Sequence, residues 1–93
     1  MIKFRVSAVP GFVRDLKKLL KFHNPIIPIY EKAIGILEAD PYNIEQKYDI
    51  KKLGGVRNGD GQFRIRIGDW RIRYDIESSE VILYSFKNRK EGY

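Results

Sequence analysis

Hydrophobic and polar residues alternate over the first eight positions of the chain, and this period of two predicts a half-buried β-strand. The apolar members of the strand are Ile2, Phe4, Val6 and Ala8. From Pro10 the apolar spacing lengthens to three and four residues, which predicts an amphipathic helix. A second helix is predicted to begin at Pro28 and to end by Asp40, because the residue before Pro41 disfavours helical geometry. Its inward-facing residues are Tyr30, Ala33, Ile34 and Leu37.

A second alternating segment, Gln62–Asp75, places isoleucines on one face and arginines on the other. Gly68 is suited to the first position of a two-residue hairpin loop, since a primed turn needs positive φ. A hairpin closed at this loop puts arginine directly opposite arginine twice, pairing Arg64 with Arg73 and Arg66 with Arg71. Like charges at opposed positions destabilise a sheet. The pattern therefore indicates a binding site for an anion.

A third strand follows the turn at Ser78–Ser79, and in-register pairing sets Arg73 opposite Tyr84 and Arg71 opposite Phe86. Residues 42–61 are predicted to form a long, irregular, Gly-rich connection. The expected fold is α+β, with an N-terminal strand, a two-helix hairpin and an antiparallel three-strand meander. Both helices are expected on the isoleucine side of the sheet, which leaves the arginine side open with Tyr84 and Phe86 on it.

Composition limits the possible functions of the chain. Its 93 residues, of which 43% are hydrophobic, predict one globular domain spanning residues 1–93. The formal net charge of +6 predicts attraction to polyanions. The chain has no cysteine and a single histidine, His23, so no metal or other cofactor is expected. No apolar run is long enough to span a bilayer, and the alternating N-terminal residues lack the apolar h-region of a signal peptide. We expect a soluble cytoplasmic protein that does not bind membranes.

Arginines beside exposed aromatic rings suit single-stranded nucleic acid, because cations follow the phosphate backbone and rings stack on unpaired bases. The residues predicted to bind such a strand are Arg73, Tyr84, Phe86, Lys87 and Lys90. The arginine-rich hairpin predicts a phosphate-binding surface in particular, since the planar guanidinium group grips phosphate oxygens in pairs.

The order of elements and three segments resemble the RelE/ParE toxin superfamily. These segments are Lys51–Gly55, Arg64–Tyr74 and the terminal Asn88–Tyr93, which contains an Arg-x-x-x-Tyr motif. The resemblance covers nearly the whole chain. It implies the toxin of a type II toxin–antitoxin system, of the RelE-like kind that cleaves mRNA in the ribosomal A site. The implied partners are a cognate antitoxin, in a hetero-oligomer, together with mRNA and the ribosome with its 16S rRNA.

The resemblance also implies catalytic residues. Arg64 and Arg66 match basic positions of the first hairpin strand, and Arg71 matches an arginine that contacts the scissile phosphate. Arg89 and Tyr93 match the two ends of the terminal motif. In the implied reaction the RNA's own 2′-hydroxyl attacks the phosphate, and guanidinium groups stabilise the negative charge that develops there.

The general base is left open by the sequence. Arginine cannot lose its proton under these conditions, so Arg64 and Arg66 cannot serve as the base. The candidates are a tyrosine assisted by surrounding cations, or Lys87. Two other functions also stay open. One is a ParE-like inhibitor that binds DNA gyrase, and the other is a noncatalytic RNA-binding or ribosome-binding module.

Overall fold

Along the chain, one strand comes first, two helices follow it, and four more strands complete the fold. The structure is a computed structural model, and it describes residues 3–22 and 26–88. The elements are β1 (Arg5–Ala8), α1 (Pro10–Phe22), α2 (Ile26–Ala39), β2 (Ile50–Lys52), β3 (Phe63–Ile67), β4 (Trp70–Glu77) and β5 (Glu80–Asn88).

The strands form a mixed five-stranded sheet in the order β1-β5-β4-β3-β2. The predicted meander is present as β3, β4 and β5, but it is not the whole sheet. β1 adds to one side of the meander by pairing parallel to β5, and β2 adds to the other side by pairing antiparallel to β3. β2 lies inside the connection that was predicted to be irregular. Its three residues are too few for a period of two to stand out in the sequence.

The two helices begin and end close to the predicted positions. α1 begins at Pro10, as predicted, and α2 ends at Ala39, before the predicted limit at Asp40. α2 begins at Ile26 instead of Pro28. A proline in the first turn of a helix costs little, because the N–H groups there have no partner within the helix. The second helix therefore begins about half a turn earlier than predicted.

Both helices pack against one face of the sheet and form the core with it, as predicted. The helices supply the buried residues Phe12, Leu19, Ile26, Ala33, Ile36 and Leu37, and the strands supply Ile65, Ile72, Tyr74, Val81, Leu83 and Phe86. The hydroxyl of buried Tyr74 donates a hydrogen bond of 2.7 Å to the carbonyl oxygen of Pro41. This bond satisfies the polar end of the ring inside the core.

The arginine hairpin has the predicted register. Arg66 is opposite Arg71 and Arg64 is opposite Arg73, while Ile65 pairs with Ile72 on the covered face. Gly68 has a φ of +60°, in agreement with the primed turn inferred from the sequence. The four arginines therefore lie on the side of the sheet that the helices leave open.

The register between β4 and β5 shifts by one residue, so both predicted pairings, Arg73 with Tyr84 and Arg71 with Phe86, are wrong. Tyr74 pairs with Leu83, whereas Arg73 pairs with Ser85, so Tyr84 is an additional residue in β5. Such a bulge reverses the faces of all residues beyond it. Phe86 consequently pairs with Ile72 and is buried, and its ring lies 5.8 Å from that of Phe12. The prediction that Phe86 lies on the open face is wrong.

The glycine-rich loop between β2 and β3 folds over one end of the open face, where Asp75 of β4 holds it. The buried carboxylate of Asp75 accepts hydrogen bonds from the backbone N–H groups of Gly59 (2.6 Å), Gly61 (3.3 Å) and Gln62 (2.7 Å). Gly61 has a φ of +82°, and a Cβ atom there would lie 3.0 Å from Cβ of Arg73. Glycine is thus required at position 61 both for its backbone conformation and for space.

Replacing Asp75 with asparagine should destabilise the fold. The amide keeps one acceptor oxygen for three backbone donors, so at least one buried N–H group loses its partner, at a cost of about 1–3 kcal/mol. Chemical denaturation measures this loss. Asp69→Asn, at the exposed hairpin turn, is the matched control and should leave the free energy of unfolding within about 0.5 kcal/mol of wild type. Equal stability of the two variants would contradict the role of Asp75.

Truncating Ile72 to alanine should destabilise the protein by about 2–5 kcal/mol, because the side chain is 2% exposed and its removal leaves a cavity. The control is Ile44→Ala, which removes the same atoms from a highly exposed loop position. Thermal melts of both variants should show a large decrease in Tm for the first and almost none for the second. A small effect at Ile72 would mean that the core can collapse around the missing atoms.

Candidate nucleic-acid interface

The sheet surface opposite the helices is lined by basic side chains from four neighbouring strands. We call this surface the basic face and define it by Lys51, Arg64, Arg66, Arg71, Arg73 and Lys87. Because alternate residues of a strand point to the same side, the isoleucines of the same strands are directed into the core. The amphipathic pattern of the hairpin thus produces the basic face and the core together.

Pairing between the strands arranges these side chains in two rows of three. Within the described residues, one row runs from Lys51 through Arg64 to Arg73, and the other from Arg66 through Arg71 to Lys87. Opposed Cβ atoms in antiparallel strands are only about 5 Å apart, so each row concentrates three positive charges. Lys87 joins the second row because of the bulge at Tyr84.

Within the described part of the chain, the carboxylate of Asp49 contacts the first strand of the arginine hairpin. Oδ1 of Asp49 lies 2.9 Å from Nη2 of Arg64, and Oδ2 lies 3.9 Å from Nε of Arg66. Arg66 also donates a hydrogen bond of 3.2 Å from Nε to the carbonyl oxygen of Gly68. Asp49 therefore offsets part of the positive charge on the basic face. Sequence reasoning missed it, because Asp49 is 15 residues from Arg64 along the chain and precedes a strand that was not predicted.

Arg73 has a structural contact that sequence reasoning did not anticipate. Its Nε and Nη2 atoms donate hydrogen bonds of 3.1 and 3.0 Å to the carbonyl oxygen of Gly61. Together with Asp75, Arg73 fixes the glycine-rich loop at the edge of the basic face. Its predicted contact with RNA stays a prediction, and the remaining donors of its guanidinium group are the ones available for that contact.

Tyr84, the bulge residue, adjoins the buried carboxylate of Asp75. Partial burial raises the pKa of the Tyr84 phenol above its usual value, and the negative charges of Asp75 and Glu77 and a hydrogen bond with Asp75 raise it further. Tyr84 is consequently a neutral phenol at physiological pH, suited to stacking or to donating a hydrogen bond and unsuited to the role of general base. Its predicted contact with RNA stays a prediction.

The other predicted site residues divide into two groups. Phe86 is enclosed by the rings of Phe12, Tyr30 and Trp70, so it cannot stack on a base without unfolding of the core. Arg89, Lys90 and Tyr93 lie outside the described residues, and their roles stay predictions. The bulge has no clear signal in the sequence. Ile82, Tyr84 and Phe86 form an unbroken apolar period of two, which favours the in-register pairing.

Two searches of the described part of the chain bear on other kinds of function. In residues 3–22 and 26–88, no group of three or more His, Cys, Asp or Glu side chains is placed to hold a metal ion. Over the same residues, no helix has both the length and the apolar character needed to cross a membrane.

The basic face has the chemical properties of a phosphate-binding surface. Arginine provides up to five N–H donors in a fixed plane and keeps its charge at any physiological pH. The two rows, each of two arginines and one lysine, are held on strands instead of loops and can neutralise several phosphates or stabilise charge that develops on one of them. The guanidinium groups of the face can act as donors and charges but not as proton acceptors.

Comparison with known proteins identifies the family. Residues 6–93 match the model of the ParE toxin of the type II toxin–antitoxin system. A protein designated toxin RelE1, from Methanocaldococcus jannaschii, is 30% identical over 92 residues, which cover 98% of this chain and 94% of that protein.

Solved structures show the same fold. The archaeal RelE–RelB complex from Pyrococcus horikoshii OT3 matches with a TM-score of 0.69 and 27% identity, over 94% of this chain and 96% of that one. The toxin–antitoxin complex RelBE2 from Mycobacterium tuberculosis matches with a TM-score of 0.72 and 26% identity, over 95% and 100% of the two chains. The chain therefore belongs to the ParE toxin family, and with it to the RelE/ParE superfamily of type II toxin–antitoxin toxins.

Proposed function

We propose that this toxin is a ribosome-dependent endoribonuclease that cleaves mRNA in the cytoplasm. The proposal is based on the two rows of the basic face, in each of which positively charged side chains lie directly opposite one another. Within the sheet these rows are repulsive, and they become favourable when a polyanion lies across them. The similarity to chains named RelE, together with the resemblance of the hairpin to the RelE-like branch, supports mRNA as that polyanion.

In the proposed reaction the 2′-oxygen of a ribose forms a bond to the adjacent phosphorus, and the bond from phosphorus to the 5′-oxygen breaks. The 2′-hydroxyl loses its proton to a base, and the departing 5′-oxygen gains one. Arg71, at the centre of the second row, stabilises the charge on the phosphate, with Arg64 and Arg66 beside it. Arg89 and Tyr93, outside the described residues, are proposed to complete the site, with Tyr93 transferring a proton.

Arg71→Ala should slow cleavage by about 10²–10³-fold, the range found when one donor to a developing oxyanion is removed. The fold should stay intact, because Arg71 lies on the open face of the sheet and is not part of the hydrophobic core. Single-turnover cleavage on programmed ribosomes, together with thermal melts, measures both effects.

The control for this experiment is Arg14→Ala, which removes the same charge from an exposed position on α1. It should cleave at the wild-type rate. If Arg71→Ala cleaves as fast as this control, Arg71 does not stabilise the transition state, and a role in binding a protein partner becomes the better explanation of the basic face.

A second candidate function is inhibition of DNA gyrase, which is favoured by the match to the ParE family model. In that case the basic face binds a protein and has no substrate phosphate to stabilise. The two functions are distinguished by two different assays. Primer extension on mRNA detects cleavage, and a supercoiling assay detects gyrase inhibition.

Expression of the chain alone should arrest growth, and co-expression of a small cognate antitoxin should restore it. The structural neighbours are complexes of toxins with RelB antitoxins, and we propose that this chain forms a corresponding hetero-oligomer. Primer extension during the arrest should reveal new 5′ ends within translated mRNA. Normal growth at high expression, in a strain confirmed to lack the antitoxin, would contradict the toxin activity of this copy.

A further inference from the structure

Asp49 is held on the basic face by its own backbone. The residue directly precedes β2, and its carbonyl oxygen accepts a hydrogen bond of 2.9 Å from the backbone N–H of Arg66. This bond continues the β2–β3 ladder by one residue, so the Asp49 side chain is directed to the same side as Arg64 and Arg66. Its two carboxylate oxygens then lie 2.9 Å from Arg64 Nη2 and 3.9 Å from Arg66 Nε.

The carboxylate contacts a cation that is itself largely buried. The Arg64 side chain is only 16% exposed, whereas that of Asp49 is 54% exposed, so solvent reaches Asp49 much more easily than the cation that it contacts. The Nε atom of Arg64 is buried and has no hydrogen-bond partner among the described residues, so the guanidinium group is incompletely satisfied. Asp49 is therefore the more exposed member of the ion pair, and Arg64 keeps an unused donor beside it.

Carboxylates and phosphates present similar acceptors to arginine, since each can offer two oxygens to a guanidinium group. We propose that the Asp49 carboxylate occupies, in the free toxin, the place that an RNA phosphate takes between Arg64 and Arg66, and that RNA displaces it. Asp49 is thus a residue that sets the affinity of the basic face for RNA. The inference rests on the proposed function, because it requires RNA to bind on this face.

If RNA displaces the Asp49 carboxylate, the negative charge should have opposite effects on the stability of the free protein and on its affinity for RNA. In the free protein the negative charge reduces repulsion within the two cation rows and stabilises the sheet. In the complex the phosphates take over this neutralisation, and an undisplaced carboxylate repels them. Removing the charge should therefore weaken the free fold slightly and strengthen RNA binding. A residue that merely orients the arginines for RNA would give weaker binding when it is changed.

The test compares Asp49→Asn with Glu45→Gln. Glu45 lies in the same loop segment and pairs with Lys47 at 3.3 Å, so its change removes one negative charge without altering the contacts of Arg64 or Arg66. The probe is a short single-stranded RNA with 2′-O-methyl groups, which binds but cannot be cleaved by its own 2′-hydroxyl. Fluorescence anisotropy gives Kd for wild type and both variants over a series of salt concentrations, and denaturation gives their stabilities.

We expect Asp49→Asn to bind this RNA about fivefold more tightly than wild type at low salt, and Glu45→Gln less than twofold more tightly. The slope of log affinity against log salt should become steeper by about 0.7 for Asp49→Asn, the value for one additional phosphate contact on a single strand. Asp49→Asn should also be slightly less stable than Glu45→Gln.

Binding by Asp49→Asn that is no tighter than binding by Glu45→Gln would overturn the inference, and so would a failure of all three proteins to bind RNA. The ribonuclease proposal has a separate test. A wild-type protein that binds the RNA but cleaves no mRNA on the ribosome contradicts that proposal, while the comparison of the two variants still decides the role of Asp49.

Discussion

The structure depends on a balance between the two faces of the arginine hairpin. Burial of apolar side chains on one face stabilises the sheet, and repulsion between arginines on the other face destabilises it. On the covered face, Ile65 and Ile72 pair across the strands and are almost completely buried. Each contributes about 1.5–3 kcal/mol of hydrophobic stabilisation. On the open face, each opposed arginine pair costs on the order of 0.2–1 kcal/mol. Because burial exceeds repulsion, the sheet can keep a charge arrangement that is unfavourable in isolation. The basic face persists only because the core beneath it is well packed.

The sequence predicts the hairpin and the helices well, because each carries its own local signal. The alternation of residues 62–75 and a two-residue loop at Gly68 determine the register of β3 and β4 without information from the rest of the chain. Pro10 and Pro41 mark the beginning of α1 and the end of the α2 region in the same way. These are the elements whose positions agree with the structure to within about two residues.

The features that the sequence does not predict are those formed by residues far apart along the chain. β2 is three residues long and is recognisable only beside β3. The contact of Asp49 with Arg64 joins positions 15 residues apart, and Asp75 binds a loop 13–16 residues before it. The loop glycines surround a carboxylate of the chain itself in a manner that resembles the binding of a small anion. The catalytic assignments of Arg89 and Tyr93 rest on the resemblance alone.

The additional residue at Tyr84 divides β5 into two segments with separate constraints. The residues before Tyr84 pair with β1 and with the second half of β4. The residues after Tyr84 pair with the first half of β4, which carries Arg71 and Arg73. A change of one residue in strand length at this position would exchange Phe86 and Lys87 between the interior and the surface. In an alignment of relatives across β5, a single-residue gap therefore belongs at position 84. A gap elsewhere in β5 would align core residues with residues of the basic face.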